Sequence, residues 1–236
     1  IKMKALVLEK KLDLKLRDID LPTELGPDDV KIKMHTVGIC GSDIHYYEHG
    51  KIGQWKVNEP MVLGHEGSGT VIDIGKNEKI LKTGDRVCIE PQVVSKKTKE
   101  YKLGIYNYDQ KVKFWATPPI HGCLTPEVVF PGDMVFKIPD SLSYAEGAMV
   151  EPLAVGMQGV TKAQIKPGQI GLVMGCGPIG LVTALAALAG GCSKVYIADI
   201  LSEKLKICEH YSGLVAVDLS KENLSEKIMN DTNGWG

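Results

Sequence analysis

The chain has 236 residues, 44% of them hydrophobic, which is enough for one large domain or two modest ones. Its 28 basic and 29 acidic residues nearly cancel, which argues against a nucleic-acid or anionic-membrane partner. The longest apolar stretch, IGLVMGCGPIGLVTALAALAGG, is broken by glycines and a proline, which argues against a membrane span. Six widely spaced cysteines without a CxxC pair predict a protein of the reducing cytosol rather than a disulfide framework.

The first half of the chain predicts short β-strands. The segments KALVLE and LDLKLRDI alternate in hydrophobicity, and VKIKMHTVG places Val30, Ile32 and Met34 on one face. Glycine and proline residues then separate three further strands, GTVIDIG, DRVCIEP and DMVFKIP. Many short strands divided by turns indicate a compact barrel or sandwich-like domain.

Helices enter the pattern after Pro139. The segment SLSYAEGAMVEPLAVGMQGV predicts a helix with Ser141 or Ser143 as its N-cap and Pro152 as an interruption. From Lys166 onward strands and helices alternate, beginning with the buried strand QIGLVMG and continuing through PIGLVTALAALAG, KVYIADI, SEKLKICEHY, LVAVDLS and ENLSEKIMN. This βαβαβα order predicts an α/β fold, the start of a doubly wound parallel sheet.

A dinucleotide-binding pattern lies between the first strand and the first helix of that series. Gly175, Gly177 and Gly180 form GxGxxG, which suits a tight turn, a close approach of backbone to a pyrophosphate, and packing of helix on strand. Asp199 ends the next strand, where a carboxylate binds an adenosine ribose and repels a 2′-phosphate, which favours NAD over NADP. The alternative is a glycine-rich turn that binds no ligand.

Candidate metal ligands lie in three separate segments. Cys40 lies in VGICGSDIHYYEHG, His65 and Glu66 lie in VLGHEGSGTVIDIG, and Glu151 lies in AMVEPLAVG. A thiolate, an imidazole and carboxylates, with water in an open position, would make a catalytic zinc site. Spacing alone does not establish such a site, since Cys40 could be a buried thiol and His65 could cap a turn.

These segments resemble a known family. GHEGSGTVIDIG fits the GHE-x2-G-x5-G signature of the zinc-containing medium-chain alcohol dehydrogenases, and ICGSDIHYYEHGKIG and VEPLAVG resemble the sorbitol and xylitol (polyol) dehydrogenases within it. The resemblance covers essentially the whole chain, including GDRVCIEP, FWATPP and GCGPIG. It implies a GroES-like catalytic zinc domain over residues 1–153 and a partial Rossmann NAD-binding domain over residues 154–236, with the reacting atoms in the cleft between them.

The resemblance also implies roles for individual residues. Cys40, His65 and Glu66 would bind the catalytic zinc, and Glu151 would reach it directly or through its water. Asp43 would orient His65. The other catalytic assignments are a proton-relay pair, Ser42 and His45, and a residue of the polyol pocket, Tyr46. The cofactor contacts would be Gly175, Gly177, Pro178, Ile179, Gly180, Asp199 and Lys204.

Two features depart from the family pattern. Many relatives hold a structural zinc with CxxCxxCx7C, and the four corresponding positions here are Ser95, Thr98, Tyr101 and Asp109. Since hydroxyls are poor zinc ligands, we expect this lobe to fold without metal, and hence one zinc per chain. Relatives also usually run to roughly 350 residues, so we expect the chain to be truncated, with only the first half of its Rossmann domain.

The resulting expectation is a zinc- and NAD-dependent polyol dehydrogenase that oxidises a sorbitol- or xylitol-type alcohol to the ketose, reversibly, and forms a homo-oligomer, a dimer or tetramer, when full length. One alternative is a zinc alcohol or threonine dehydrogenase acting on another secondary alcohol. Another is a nucleotide-binding fragment without turnover.

Overall fold

The structure is a computed structural model that describes residues 2–235, and its chain divides into two compact units. One unit runs to Glu151 and the other begins at Pro152. Within residues 2–235, no helix is both long and apolar enough to cross a membrane.

The first unit consists mainly of short strands, as its sequence predicts. Its strands are β1 (Lys2–Lys10), β2 (Asp13–Asp20), β3 (Asp29–Gly38), β4 (Lys51–Ile52), β5 (Trp55–Lys56), β6 (Met61–Val62), β7 (Glu66–Ile74), β8 (Arg86–Ile89), β9 (Gln92–Val93), β10 (Lys113–Phe114), β11 (Glu127–Pro131) and β12 (Val135–Lys137). Its helices are α1 (Gly41–His49), α2 (Lys99–Lys102) and α3 (Tyr144–Ala148), with 3₁₀ turns at Tyr106–Tyr108 and Gly132–Met134.

A five-stranded antiparallel sheet organises this unit, in the order β11-β3-β7-β8-β12. Val30 and Ile32 of β3, Val71 of β7 and Val87 of β8 are fully buried beneath it, as the alternating pattern of β3 predicts. A second sheet, β2-β1-β6, has its own small core around Val7. The observed sheets confirm the β-rich first half.

The second unit alternates strands and helices. Its strands are β13 (Ile170–Met174), β14 (Lys194–Asp199) and β15 (Leu214–Asp218), and its helices are α4 (Val150–Ala163, which begins two residues before the unit), α5 (Pro178–Ala189), α6 (Ser202–Leu205) and α7 (Leu224–Asp231). The strands are parallel in the order β13-β14-β15, which confirms the start of a doubly wound sheet. Val195 and Ile197 of the central strand β14 are fully buried.

Three local expectations are wrong in detail. Strand β13 is not buried, because it lies at an edge of the described sheet and leaves its alternate side chains, Ile170, Leu172 and Met174, 43%, 46% and 61% exposed. The predicted helix is interrupted, but the break falls at Met149, between α3 and α4, and Pro152 itself lies in the first turn of α4, where a missing N–H costs nothing. The segment after β14 is not one helix but α6 followed by a 3₁₀ turn, Lys206–His210.

Candidate active site

The pairing of β3 with β7 brings the candidate metal ligands together. The antiparallel register ends with Gly38 opposite Glu66, so Cys40, just after β3, and His65, just before β7, emerge at the same end of the sheet. The ligand atoms of Cys40, His65 and Glu66 all lie within 4.8 Å of one another. They are the only three His, Cys, Asp or Glu residues so grouped in the described part of the chain.

The chemistry of this group fits a zinc ion. It offers one sulfur, one ring nitrogen and one carboxylate oxygen, which is a donor set with room for a fourth ligand. Both His65 and Glu66 are buried, and the Nδ1 atom of His65 has no hydrogen-bond partner among the described residues. A buried ring nitrogen left without a partner is costly, so a metal or a water is expected beside this ring.

The surroundings of Cys40 disfavour its thiolate in the absence of a cation. Burial raises its pKa, hydrogen bonds from Ser42 oppose that rise, and the negative charges of Glu66 and Asp43 add to it. A bound cation favours the thiolate, so we expect zinc uptake to release a proton from this site.

Glu151, the second residue of α4, lies next to the ligand group but is not a member of it. Burial raises the pKa of its carboxyl, while the nearby His65 lowers it and Glu66 raises it further. The Glu151 carboxyl is therefore near enough to both ligands to interact with them electrostatically.

Asp43 does not act on the ring of His65 as predicted. Its buried carboxylate accepts hydrogen bonds from two backbone N–H groups, that of Cys40 at 3.0 Å and that of Gly64 at 2.9 Å. The side chain therefore joins the two loops that present the ligands and positions them through the backbone. As the third residue of α1, Asp43 forms a capping box with the N–H of Cys40, and Gly64 of the neighbouring loop provides the second donor.

A cavity of about 720 Å³ adjoins the ligand group within the first unit. Ser42, Tyr46 and His65 line it, so the structure brings two of the predicted catalytic residues to the metal ligands. Tyr46 is buried, which raises its phenol pKa, and its hydroxyl is hydrogen-bonded to the Thr117 side chain. His45 lies outside the described lining, exposed on α1 with its ring centroid 4.5 Å from that of His49.

Sequence reasoning missed the opposite wall of this cavity. Phe114 lies there with its ring centroid 5.4 Å from that of His65, together with Trp55, Asp109 and Thr117. The FWATPP segment carries the family resemblance and could have pointed to this wall. Apart from Asp109, however, these side chains are not types that suggest chemistry by themselves.

The lobe that corresponds to the structural-zinc segment is held by hydrogen bonds. Thr98 caps α2 by accepting the N–H of Tyr101 at 3.3 Å, and the Tyr106 hydroxyl donates to the Glu90 carboxylate at 3.0 Å. The side chain of Gln92 also donates to Glu90. The expectation of one zinc per chain remains a prediction.

The glycine-rich loop of the second unit has the geometry that its motif predicts. Gly175 adopts φ +96°, a backbone conformation that would be strained in a residue with a side chain. A Cβ added to Gly180 would lie 1.8 Å from the carbonyl oxygen of Gly175, so only glycine fits there. At Gly177, the N-cap of α5, an added Cβ would meet nothing within 4 Å. The helix N-terminus is therefore open to an anionic group.

Asp199 fastens this loop to the end of β14. Its Oδ2 accepts the N–H of Cys176 at 2.8 Å and its Oδ1 accepts the N–H of Leu201 at 2.9 Å, and these bonds lower the carboxyl pKa. Of the remaining predicted cofactor residues, Pro178 opens α5, Ile179 next to it is 41% exposed, and Lys204 is exposed on α6.

Known proteins share these features. Residues 26–140 match the family model described as the alcohol dehydrogenase GroES-like domain. The chain is 56% identical to the D-xylulose reductase of Morganella morganii, over 99% of this chain and 69% of that protein. It is 44% identical to the sorbitol dehydrogenase of Rattus norvegicus, over 92% of this chain and 61% of that protein. The crystal structure of 2R,3R-butanediol dehydrogenase from Bacillus subtilis matches with a TM-score of 0.86 at 34% identity, covering 98% of this chain and 67% of that one.

Proposed function

This chain belongs to the zinc-containing medium-chain alcohol dehydrogenase family, and from that premise we propose that it oxidises a sugar alcohol of the sorbitol or xylitol type to the ketose, reversibly, with zinc and NAD. The observation that carries the proposal is the convergence of Cys40, His65 and Glu66 into one group. Of these three, His65 lines a cavity that Ser42 and Tyr46 also line. The names of the two curated relatives support a polyol and ketose pair over other alcohols.

The metal would be held by Cys40, His65 and Glu66, with Glu151 contributing through water. A zinc ion bound there would supply a Lewis acid that polarises an alcohol oxygen. Ser42, which lines the cavity, would accept the hydroxyl proton and pass one on to His45, whose exposed ring returns it to solvent. Tyr46 would flank the substrate carbon chain.

The second unit would bind the cofactor. Gly177 and the α5 N-terminus would receive the pyrophosphate, and the ionised Asp199 would accept hydrogen bonds from the ribose hydroxyls. NAD bound there would supply the hydride acceptor for the oxidation of the alcohol. A 2′-phosphate would meet the negative charge of Asp199, which supports NAD over NADP.

The remaining expectations form part of the same proposal. We assign residues 1–153 to the catalytic zinc domain and residues 154–236 to the NAD-binding domain, with one zinc per chain. Six free thiols suit a reducing cytosol. The assembly would be a homo-oligomer, as is common for this family.

A second candidate is a dehydrogenase of another secondary alcohol. It is favoured by the match to a 2R,3R-butanediol dehydrogenase. A nucleotide-binding protein without turnover is the third, and the intact ligand group argues against it.

The test is zinc content by elemental analysis, followed by NAD reduction with xylitol, sorbitol and 2,3-butanediol, each with and without a chelator. About one zinc and chelator-sensitive turnover of a polyol supports the proposal. Faster turnover of 2,3-butanediol moves the assignment to the second candidate. NAD binding without turnover of any of them moves it to the third.

A further inference from the structure

One carboxylate in the cavity wall has no role in the chemistry above. Asp109 is 6% exposed, and its Oδ1 accepts the N–H of Lys111 at 2.9 Å. Its Oδ2 is buried and has no hydrogen-bond partner among the described residues. A carboxylate oxygen accepts but does not donate, so this atom requires an O–H or N–H group that the described protein does not provide.

The position of Asp109 shows where such a donor can come from. The residue lines the same cavity as Ser42, Tyr46 and His65. A 3₁₀ turn holds it there, because its own N–H donates to the carbonyl oxygen of Tyr106 at 3.1 Å. Asp109 therefore lies beside any molecule bound in the cavity, on a turn that its backbone hydrogen bond fixes in place.

The other charged groups nearby do not account for the free oxygen. Asp109 corresponds to a metal-ligand position of the structural-zinc pattern, yet the single three-ligand group of the described residues does not include it. Lys113 lines the same cavity and is exposed, and the ion pairs found within residues 2–235 do not join it to Asp109. The free oxygen of Asp109 is therefore left for a hydrogen-bond donor such as a hydroxyl group.

We propose that Asp109 accepts a hydrogen bond from a substrate hydroxyl remote from the carbinol that reacts, and so selects polyhydroxylated alcohols over plain secondary alcohols. The inference rests on the proposed function. It assigns Asp109 as a specificity residue that binds the substrate chain without joining the proton or hydride transfer. Loss of such an acceptor leaves one hydroxyl of a bound polyol without its hydrogen-bond partner, which weakens polyol binding. A plain alcohol has no such hydroxyl, so its binding is unaffected.

The decisive variant is Asp109→Asn. Asparagine keeps an oxygen for the N–H of Lys111 and places an amide donor where the free Oδ2 lies, so the turn is preserved and the acceptor is lost. The matched control is Asp73→Asn, the same exchange at an exposed carboxylate of β7 whose Oδ1 accepts the N–H of Ile74. Asp109→Ser provides a second, smaller substitution.

The assay compares kcat/KM for xylitol and for butan-2-ol in the NAD- and zinc-loaded enzyme. We expect Asp109→Asn to lower the value for xylitol by about 10- to 100-fold, mainly through KM, and to leave butan-2-ol unchanged. Asp73→Asn should change neither. As a readout independent of turnover, the rise in thermal midpoint that xylitol produces in the parent protein should shrink in Asp109→Asn.

The outcomes separate this inference from the proposed function. A parent enzyme that oxidises xylitol, with an unchanged xylitol to butan-2-ol ratio in both Asp109 variants, overturns the inference alone. Equal losses for the two substrates also overturn it, since they indicate a structural role. A parent protein that neither oxidises nor is stabilised by xylitol overturns both proposals.

Discussion

Gly38 provides a sharp test of the metal site because its missing side chain leaves room for a ligand. A Cβ added there would lie 2.1 Å from Oε2 of Glu66, whereas ordinary contacts begin at 3.4 Å. In Gly38→Ala the Glu66 carboxylate must therefore move by about 1.3 Å, well outside the roughly 0.2 Å tolerance of a zinc–oxygen bond. The fold should tolerate this change, because the atom displaced is the end of a flexible side chain.

We expect Gly38→Ala to weaken zinc binding by at least about 100-fold. Loss of a residue that only hydrogen-bonds to a ligand already lowers metal affinity by about 10- to 100-fold, and here a ligand itself is displaced. This loss corresponds to about 3 kcal/mol of binding free energy. The assay is a zinc titration against a competing chelator, with the thermal midpoint of the metal-free protein measured alongside. Turnover should fall in step with bound zinc.

The matched control is Gly41→Ala, three residues along the chain. An added Cβ there meets nothing within 4 Å, and the residue is the first of α1. Alanine should leave zinc affinity unchanged. If Gly38→Ala binds zinc as tightly as the parent protein, then Glu66 is not a metal ligand and the reasoning is refuted.

Three further predictions concern the same site, the cofactor and the core. Cys40→Ser should lose zinc, measured by elemental analysis, and turnover, measured by NAD reduction. Retention of both would contradict the assignment of Cys40 as a zinc ligand. Asp199→Ala should narrow the ratio of kcat/KM with NAD to that with NADP, and an unchanged ratio would remove Asp199 from the ribose. For Asp85, burial raises the carboxyl pKa but hydrogen bonds from Lys137 and the Lys82 N–H outweigh it, so the pKa is lowered. Its stabilisation is present above the unfolded-state pKa and is lost as pH falls through the folded-state value. Asp85→Asn should thus lower the thermal midpoint more at pH 7 than in acid, where the carboxyl is protonated in the folded and the unfolded state, and an equal loss under both conditions would refute this.

Several features of the fold follow from local sequence and were predicted from it. The period-2 pattern of β3 identifies its buried face, and the strand–glycine–helix order around Gly175 identifies the dinucleotide loop. Ser143 caps α3 with Glu146, as one of the two predicted caps. These features are predictable because the residues that interact lie within a few positions of one another.

The residue types available for the chemistry can be read from the sequence, whereas the folded chain selects which of them come together. Cys40 reaches His65 and Glu66 only through the register of β3 on β7, and the spacing of residues along the chain does not encode that register. The same holds for Asp109, which corresponds to a position of the family's structural-zinc pattern and lies in the wall of the cavity. The physical reason is that burial and hydrogen bonding depend on neighbours brought from distant segments, and each of those neighbours is known only once the sheets have formed.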